Sequence, residues 1–117
     1  MHIIRYAEIL LMYAEAVTRG GTASAGTADN AVNLVRARAG LGNLSGVTSQ
    51  QVMDEKYAEL AMEWGNRYYD MIRLENTAEL SYDGRTFTMA KKYYPYPLPQ
   101  LDKSPILKEY FETHPDH

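Results

Sequence analysis

The chain has 117 residues, enough for one domain or part of a larger one. Its 45% hydrophobic and 23% charged content places it among globular chains rather than disordered ones. A net charge of −3 excludes a strongly basic nucleic-acid module, and zero cysteines exclude disulfide scaffolds, Cys-ligated zinc, Fe–S clusters and thiol chemistry.

The first predicted helix covers about residues 2–19, with Ile3, Tyr6, Ala7, Leu10, Tyr13, Ala14 and Val17 on one face. Ile4, Ile9, Leu11 and Met12 make it apolar on other faces too, the pattern of a helix buried on several sides. No capping residue precedes it, and no signal peptide or membrane-length apolar run is visible. The chain therefore reads as a fragment whose first helix has lost neighbours. Glu15 and Arg19 form an i,i+4 pair near the helix end, which Gly20-Gly21 stops.

After a small-residue loop at 20–27, Thr27 caps a second helix from about Ala28 to Ala39. Its apolar face is Ala28, Ala31, Val32, Val35 and Ala39. Gly40 and Leu41 suit a Schellman ending. Thr48 and Gln51 form a capping box and Val47 with Val52 a hydrophobic staple. They start a third helix, expected to run to about Trp64 and to bury Met53, Tyr57, Leu60, Ala61 and Trp64. Gly65-Asn66 breaks it, and a short fourth helix spans about Arg67 to Leu74. Tyr6-Ala7-Glu8-Ile9 and Tyr57-Ala58-Glu59-Leu60 hint at two helical hairpins in series.

The character then changes. Asp83-Gly84 before Thr86-Phe87-Thr88-Met89 predicts a β-hairpin. Pro95, Pro97 and Pro99 predict extended backbone over 93–99. Ser104-Pro105 predicts the N-cap and first residue of a last helix to about Thr113. The expected fold is mostly all-α: two helical hairpins packed in the tetratricopeptide manner over 1–75, then an irregular segment over 76–117 packed on the same domain.

Glu55, Glu59 and Glu63 recur at i, i+4 and i+8. Two carboxylates on adjacent turns can serve as a glycosidase acid/base pair or metal ligands. The neighbouring Arg36, Arg38, Arg67 and Arg73 favour a structural ion-pair network instead, with Glu63–Arg67 and Asp70–Arg73 as local pairs. His2, His114 and His117 stand at the chain ends and suggest no metal site. No phosphate-binding glycine loop or nucleophile motif occurs. The sequence assigns no catalytic residue, metal ligand or cofactor, and singles out no ligand-binding residue. Tyr6, Tyr13, Tyr57 and Tyr68 are expected in the core. Tyr82, Tyr93, Tyr94 and Tyr96 lie in irregular segments, where exposed rings can stack on sugars.

Four ordered blocks resemble the C-terminal part of the SusD/RagB family. They are Ile4-Arg5-Tyr6-Ala7-Glu8-Ile9-Leu10-Leu11-Met12-Tyr13-Ala14-Glu15-Ala16, Ala31-Val32-Asn33-Leu34-Val35-Arg36-Ala37-Arg38-Ala39-Gly40-Leu41, Asp54 through Arg73, and Tyr96-Pro97-Leu98-Pro99-Gln100. The resemblance spans residues 4 to about 107 and leaves the tail from Lys108 uncovered. It departs at Glu55-Lys56, where the family usually has Glu-Arg.

The resemblance implies a glycan- or nutrient-binding lipoprotein on the external face of the outer membrane in Bacteroidetes, partnered with a SusC-like TonB-dependent transporter. It implies no enzyme activity, no nucleic-acid partner, and membrane attachment only through a lipid anchor absent from this segment. A different reading is a free-standing tetratricopeptide-like adaptor with a peptide groove on the Asn30, Asn33 and Arg36 side of the second helix. A third is a carbohydrate-active enzyme using Glu59 and Glu63.

Overall fold

The computed structural model describes residues 4–63, 65–93 and 96–113. Within them lie six α-helices: α1 (Tyr6–Thr18), α2 (Ala28–Arg38), α3 (Ser49–Glu59), α4 (Asn66–Arg73), α5 (Leu98–Lys103) and α6 (Pro105–Thr113). The expected all-α class holds. The chain divides into two compact units, with the boundary between Arg67 and Tyr68.

In the first unit α1 packs against both α2 and α3, which touch each other much less. Leu11, Ala14, Ala28, Ala31, Val32, Val35, Val47 and Val52 form the core, with Ala7, Leu10, Tyr13, Val17 and Leu44 packed on its edge. The Val47–Val52 staple is as the sequence predicts, and so is the α2 face at Ala28, Ala31, Val32 and Val35; Ala39 is exposed, because the helix ends at Arg38 and leaves it as the C-cap. The expected α1 face packs on the core at Ala7, Leu10, Tyr13, Ala14 and Val17, and Leu11 widens it. Leu11 is fully buried while Tyr6 is 74% exposed, because α1 turns its centre toward two helices rather than one. Ile9 and Met12 remain exposed.

The helix ends follow local chemistry. Thr27 accepts the Asn30 N–H at 3.2 Å, and the Thr48–Gln51 capping box is complete. Gly40 and Leu41 close α2 through N–H bonds to the Ala37 and Arg36 carbonyls, the Schellman ending expected there. The same motif closes α1 at Gly20 (φ +103) and Gly21, whose N–H reaches the Ala16 carbonyl at 2.8 Å. A Cβ on Gly21 would lie 2.7 Å from that oxygen, so only glycine fits. α1 starts several residues later than expected: Ile4 precedes the helix, Arg5 is extended at its N-cap, and Ile3 lies outside the described residues.

One stripe of α2 fastens the loop that leads to α3. Asp29 accepts from the N–H groups of Gly46 (2.7 Å) and Val47 (2.9 Å). Asn33 exchanges two 2.8 Å bonds with the backbone of Leu44, and Arg36 Nε donates to the Gly42 carbonyl at 2.7 Å. Residues 29, 33 and 36 share a helix face, so loop 42–47 is laid along it as a strand is laid along a ladder. Tyr13 does the same for loop 20–27, accepting the Ala25 N–H and donating to the Gly26 carbonyl.

In the second unit the expected hairpin shrinks to one bridge between Tyr82 and Arg85 around Asp83 (φ +51) and Gly84 (φ +72). Among the described residues, 86–89 have no partner strand, and they give way to a 3₁₀ turn at Met89–Lys92. The extended segment expected over 93–99 is also cut short. Pro97 is extended, but α5 starts at Leu98 with Pro99 in its first turn, where a missing N–H costs nothing. Tyr94 and Pro95 lie outside the described residues. The last helix begins at Pro105, as Ser104-Pro105 predicts, and α5 packs on α6.

Asp29 gives this fold an acid-sensitive anchor. The Val47 and Gly46 N–H groups hold its carboxyl below the ordinary value, against a smaller opposing effect of desolvation. Its stabilisation is therefore complete above the unfolded carboxyl value, about 3.9. It is lost as pH falls through the lower folded value. Urea midpoints measured across the acid range are expected to fall less steeply for Asp29→Asn than for wild type; equal slopes would mean that the loop is held without the charge.

Candidate functional site

The most developed polar assembly gathers at one carboxylate. Glu59, the last residue of α3, has a side chain only 6% exposed. Its Oε1 accepts from Arg5 Nη2 (2.6 Å) and Arg38 Nη2 (2.8 Å), and its Oε2 from Arg38 Nη2 (2.6 Å). Arg5 Nη1 donates both to the Glu59 backbone carbonyl (3.2 Å) and to the Glu63 carboxylate (2.6 Å). Arg5 precedes α1 and Arg38 ends α2, so three helix termini meet at Glu59.

Desolvation acts to lower the Arg5 value, but the Glu63 and Glu59 charges and their hydrogen bonds raise it, so its guanidinium stays charged. A second pair, largely buried, joins Arg36 Nη1 to Glu55 Oε2 at 2.7 Å. Arg19–Glu15 (2.9 Å) and Arg73–Asp70 (2.8 Å) are the local pairs that their spacing predicts.

The Glu/Arg stripe is thus an ion-pair network, as its arginine-rich surroundings suggest. Arg36, Arg38 and Arg73 take the expected kind of partner. Arg67 stacks over the Tyr57 ring at 4.8 Å. Arg5 is the member that sequence reasoning misses. Its signal is slight: an arginine directly before a helix start that lacks a capping side chain.

The expected length of α3 is wrong by about a turn, since it ends at Glu59 and not near Trp64. Arg5 supplies a physical reason, because it binds the Glu59 carbonyl that the next helical turn would use. Met53 and Leu60 are buried as expected, whereas Ala61 is exposed, and Trp64 lies outside the described residues.

Neither ligand-site expectation drawn from residues alone fits this geometry well. Both Glu59 oxygens are engaged by guanidinium groups, leaving a poor general acid or base. Among the described residues no cluster of three or more His, Asp or Glu can hold a metal ion, and His2, His114 and His117 lie outside them. On the proposed adaptor face, Asn33 and Arg36 are committed to the chain's own loop. What remains beside Asn30 is an open cleft of about 520 Å³.

A larger, mainly apolar groove of about 630 Å³ runs between α1 and α2, lined by Ile4, Tyr6, Ala7, Leu10, Leu34 and Val35 with Arg5 and Arg38 at its edge. Of the tyrosines placed in the core, Tyr13, Tyr57 and Tyr68 are half-buried and Tyr6 is not. Tyr82, Tyr93 and Tyr96 are exposed.

The two Tyr-Ala-Glu segments occupy opposite ends of their helices: Tyr6 opens α1, whereas Glu59 closes α3. They are not equivalent positions of a structural repeat.

A family model described as the SusD family matches residues 1–112, extending the resemblance to both sides of the blocks and into the tail that they leave uncovered. No curated protein matches the chain, nor does any solved structure.

Because Glu59 is buried and serves two arginines, Glu59→Gln is expected to destabilise the chain by about 2–4 kcal/mol, near the cost of breaking a buried pair. Glu63→Gln, at a carboxylate one-third exposed, is expected to cost far less. Urea unfolding of both variants checks the order; equal losses would mean that Glu59 is not the centre of the network.

Proposed function

The chain belongs to the SusD family, and from that premise we propose that it forms the C-terminal helical portion of a nutrient-binding lipoprotein at the external face of the outer membrane. The whole protein captures a glycan or another nutrient and delivers it to a TonB-dependent transporter. No bond is made or broken in that role. The single observation that carries this reading is the family match over 1–112.

The site geometry agrees with a supporting role for this segment. Its carboxylates are neutralised by arginines of neighbouring helices, and the polar stripe of α2 is spent on a loop. Groups locked in this way hold helices in place and are poorly suited to binding a ligand. In this reading the helices continue a tetratricopeptide-like stack, and nutrient contacts lie elsewhere in the protein.

Two measurements on the full-length protein test the proposal. Titration against a glycan and peptide panel is expected to give a saturable ligand, and detergent extracts are expected to yield a complex with a TonB-dependent barrel. Absence of both would sink it. A Glu59→Gln variant is expected to lower the folded yield while leaving ligand affinity per folded molecule unchanged. A loss of affinity in the folded fraction would place this network at the ligand.

A further inference from the structure

α3 stops before its helix-forming sequence does. Leu60, Ala61, Met62 and Glu63 are mostly strong helix formers, and no proline or glycine occurs until Gly65. Yet Leu60 already leaves helical geometry at φ −106, ψ 21. Met62 adopts φ +66, a left-handed conformation that crowds its Cβ against the following carbonyl. Its side chain is fully exposed, so no apolar burial offsets that strain. The turn is closed by the Glu63 N–H to the Leu60 carbonyl (3.1 Å) and the Asn66 N–H to the Glu63 carbonyl (3.3 Å).

A further α-helical turn would need the Glu63 N–H on the Glu59 carbonyl. Arg5 Nη1 sits on that carbonyl at 3.2 Å and on the Glu63 carboxylate at 2.6 Å, while Arg5 Nη2 holds the Glu59 carboxylate at 2.6 Å. One planar guanidinium thus binds three acceptors that stay close together while the segment is unwound.

We infer that Arg5 is a latch: it holds residues 60–63 in a strained, unwound turn that this stretch of sequence would otherwise wind onto the end of α3. In the latched state the Glu59 carbonyl belongs to Arg5 and Met62 is left-handed. In the released state the Glu63 N–H takes that carbonyl, Met62 becomes right-handed, and α3 grows by a turn. Because Arg5 directly precedes α1, displacement of the α1 start and rewinding of 60–63 are one event.

Carbon-13 chemical shifts of Leu60 to Glu63 in the 117-residue chain read the two states directly. They are expected to be non-helical in wild type and to shift to helical values in Arg5→Ala. Unchanged shifts in a folded Arg5→Ala chain would overturn the latch, since Gly65 and Asn66 would then set the turn by themselves.

Met62→Gly gives a second arm with opposite signs in the two states. Glycine relieves a positive φ but weakens a helix. It is expected to raise the melting temperature of the wild-type chain by roughly 2–8 °C and to lower that of Arg5→Ala. Should Arg5→Ala fail to fold, the wild-type arm still decides. A melting temperature left unchanged or lowered by Met62→Gly would mean that no strain is held there.

Discussion

Glu59 sits where the first helix begins and the next two end, and its negative charge is what those three termini have in common. α2 and α3 touch each other little, so the first unit depends on α1 lying between them. The apolar core supplies most of the cohesion, but apolar burial is non-directional and tolerates sliding. A buried carboxylate held by Arg5 from one side and Arg38 from the other does not, because its bonds need fixed distances and angles. The network ties the start of α1 and the end of α2 to the end of α3. Its net contribution to stability is a different matter, since the cost of burying the charge offsets much of the Coulombic gain.

The connections obey the same logic on a smaller scale. A loop that runs over a helix exposes backbone N–H and C=O groups that need partners. The 42–47 loop finds them on Asp29, Asn33 and Arg36, and the 20–27 loop finds them on the Tyr13 hydroxyl. These side chains replace the ladder that a strand would have had. A small unit thereby keeps long connections ordered, which helps to present a defined surface without much regular structure.

This arrangement bears on the role of the segment within the SusD family. Polar groups that could have met a ligand are instead paired internally, while apolar side chains of α1 and α2 line an open groove. In this segment, specific polar contacts fix the helices. The arginines show why Arg rather than Lys is used at these points. A single planar fork can hold a backbone carbonyl and two carboxylates at once, as Arg5 does.

Features written in neighbouring residues could be read from the chain alone. Thr27, the Thr48–Gln51 box, the Gly40-Leu41 ending, Ser104-Pro105 and the Glu15–Arg19 pair are all local, because a helix end is satisfied within about a turn. The all-α class and most of the α2 face were legible for the same reason. The ordered blocks made the family legible too. The tertiary structure decided what depends on residues far apart in the chain. Arg5 lies 54 positions from Glu59, and no helical spacing relates them. That distance hid the true end of α3, since local propensity continues the helix and only the long-range contact stops it. It also hid the burial of Leu11 and the exposure of Tyr6 on α1, because one periodic pattern cannot say whether a helix meets one neighbour or two. Asp83-Gly84 specified its turn but not a hairpin, for a turn needs only its own residues whereas a ladder needs a second strand.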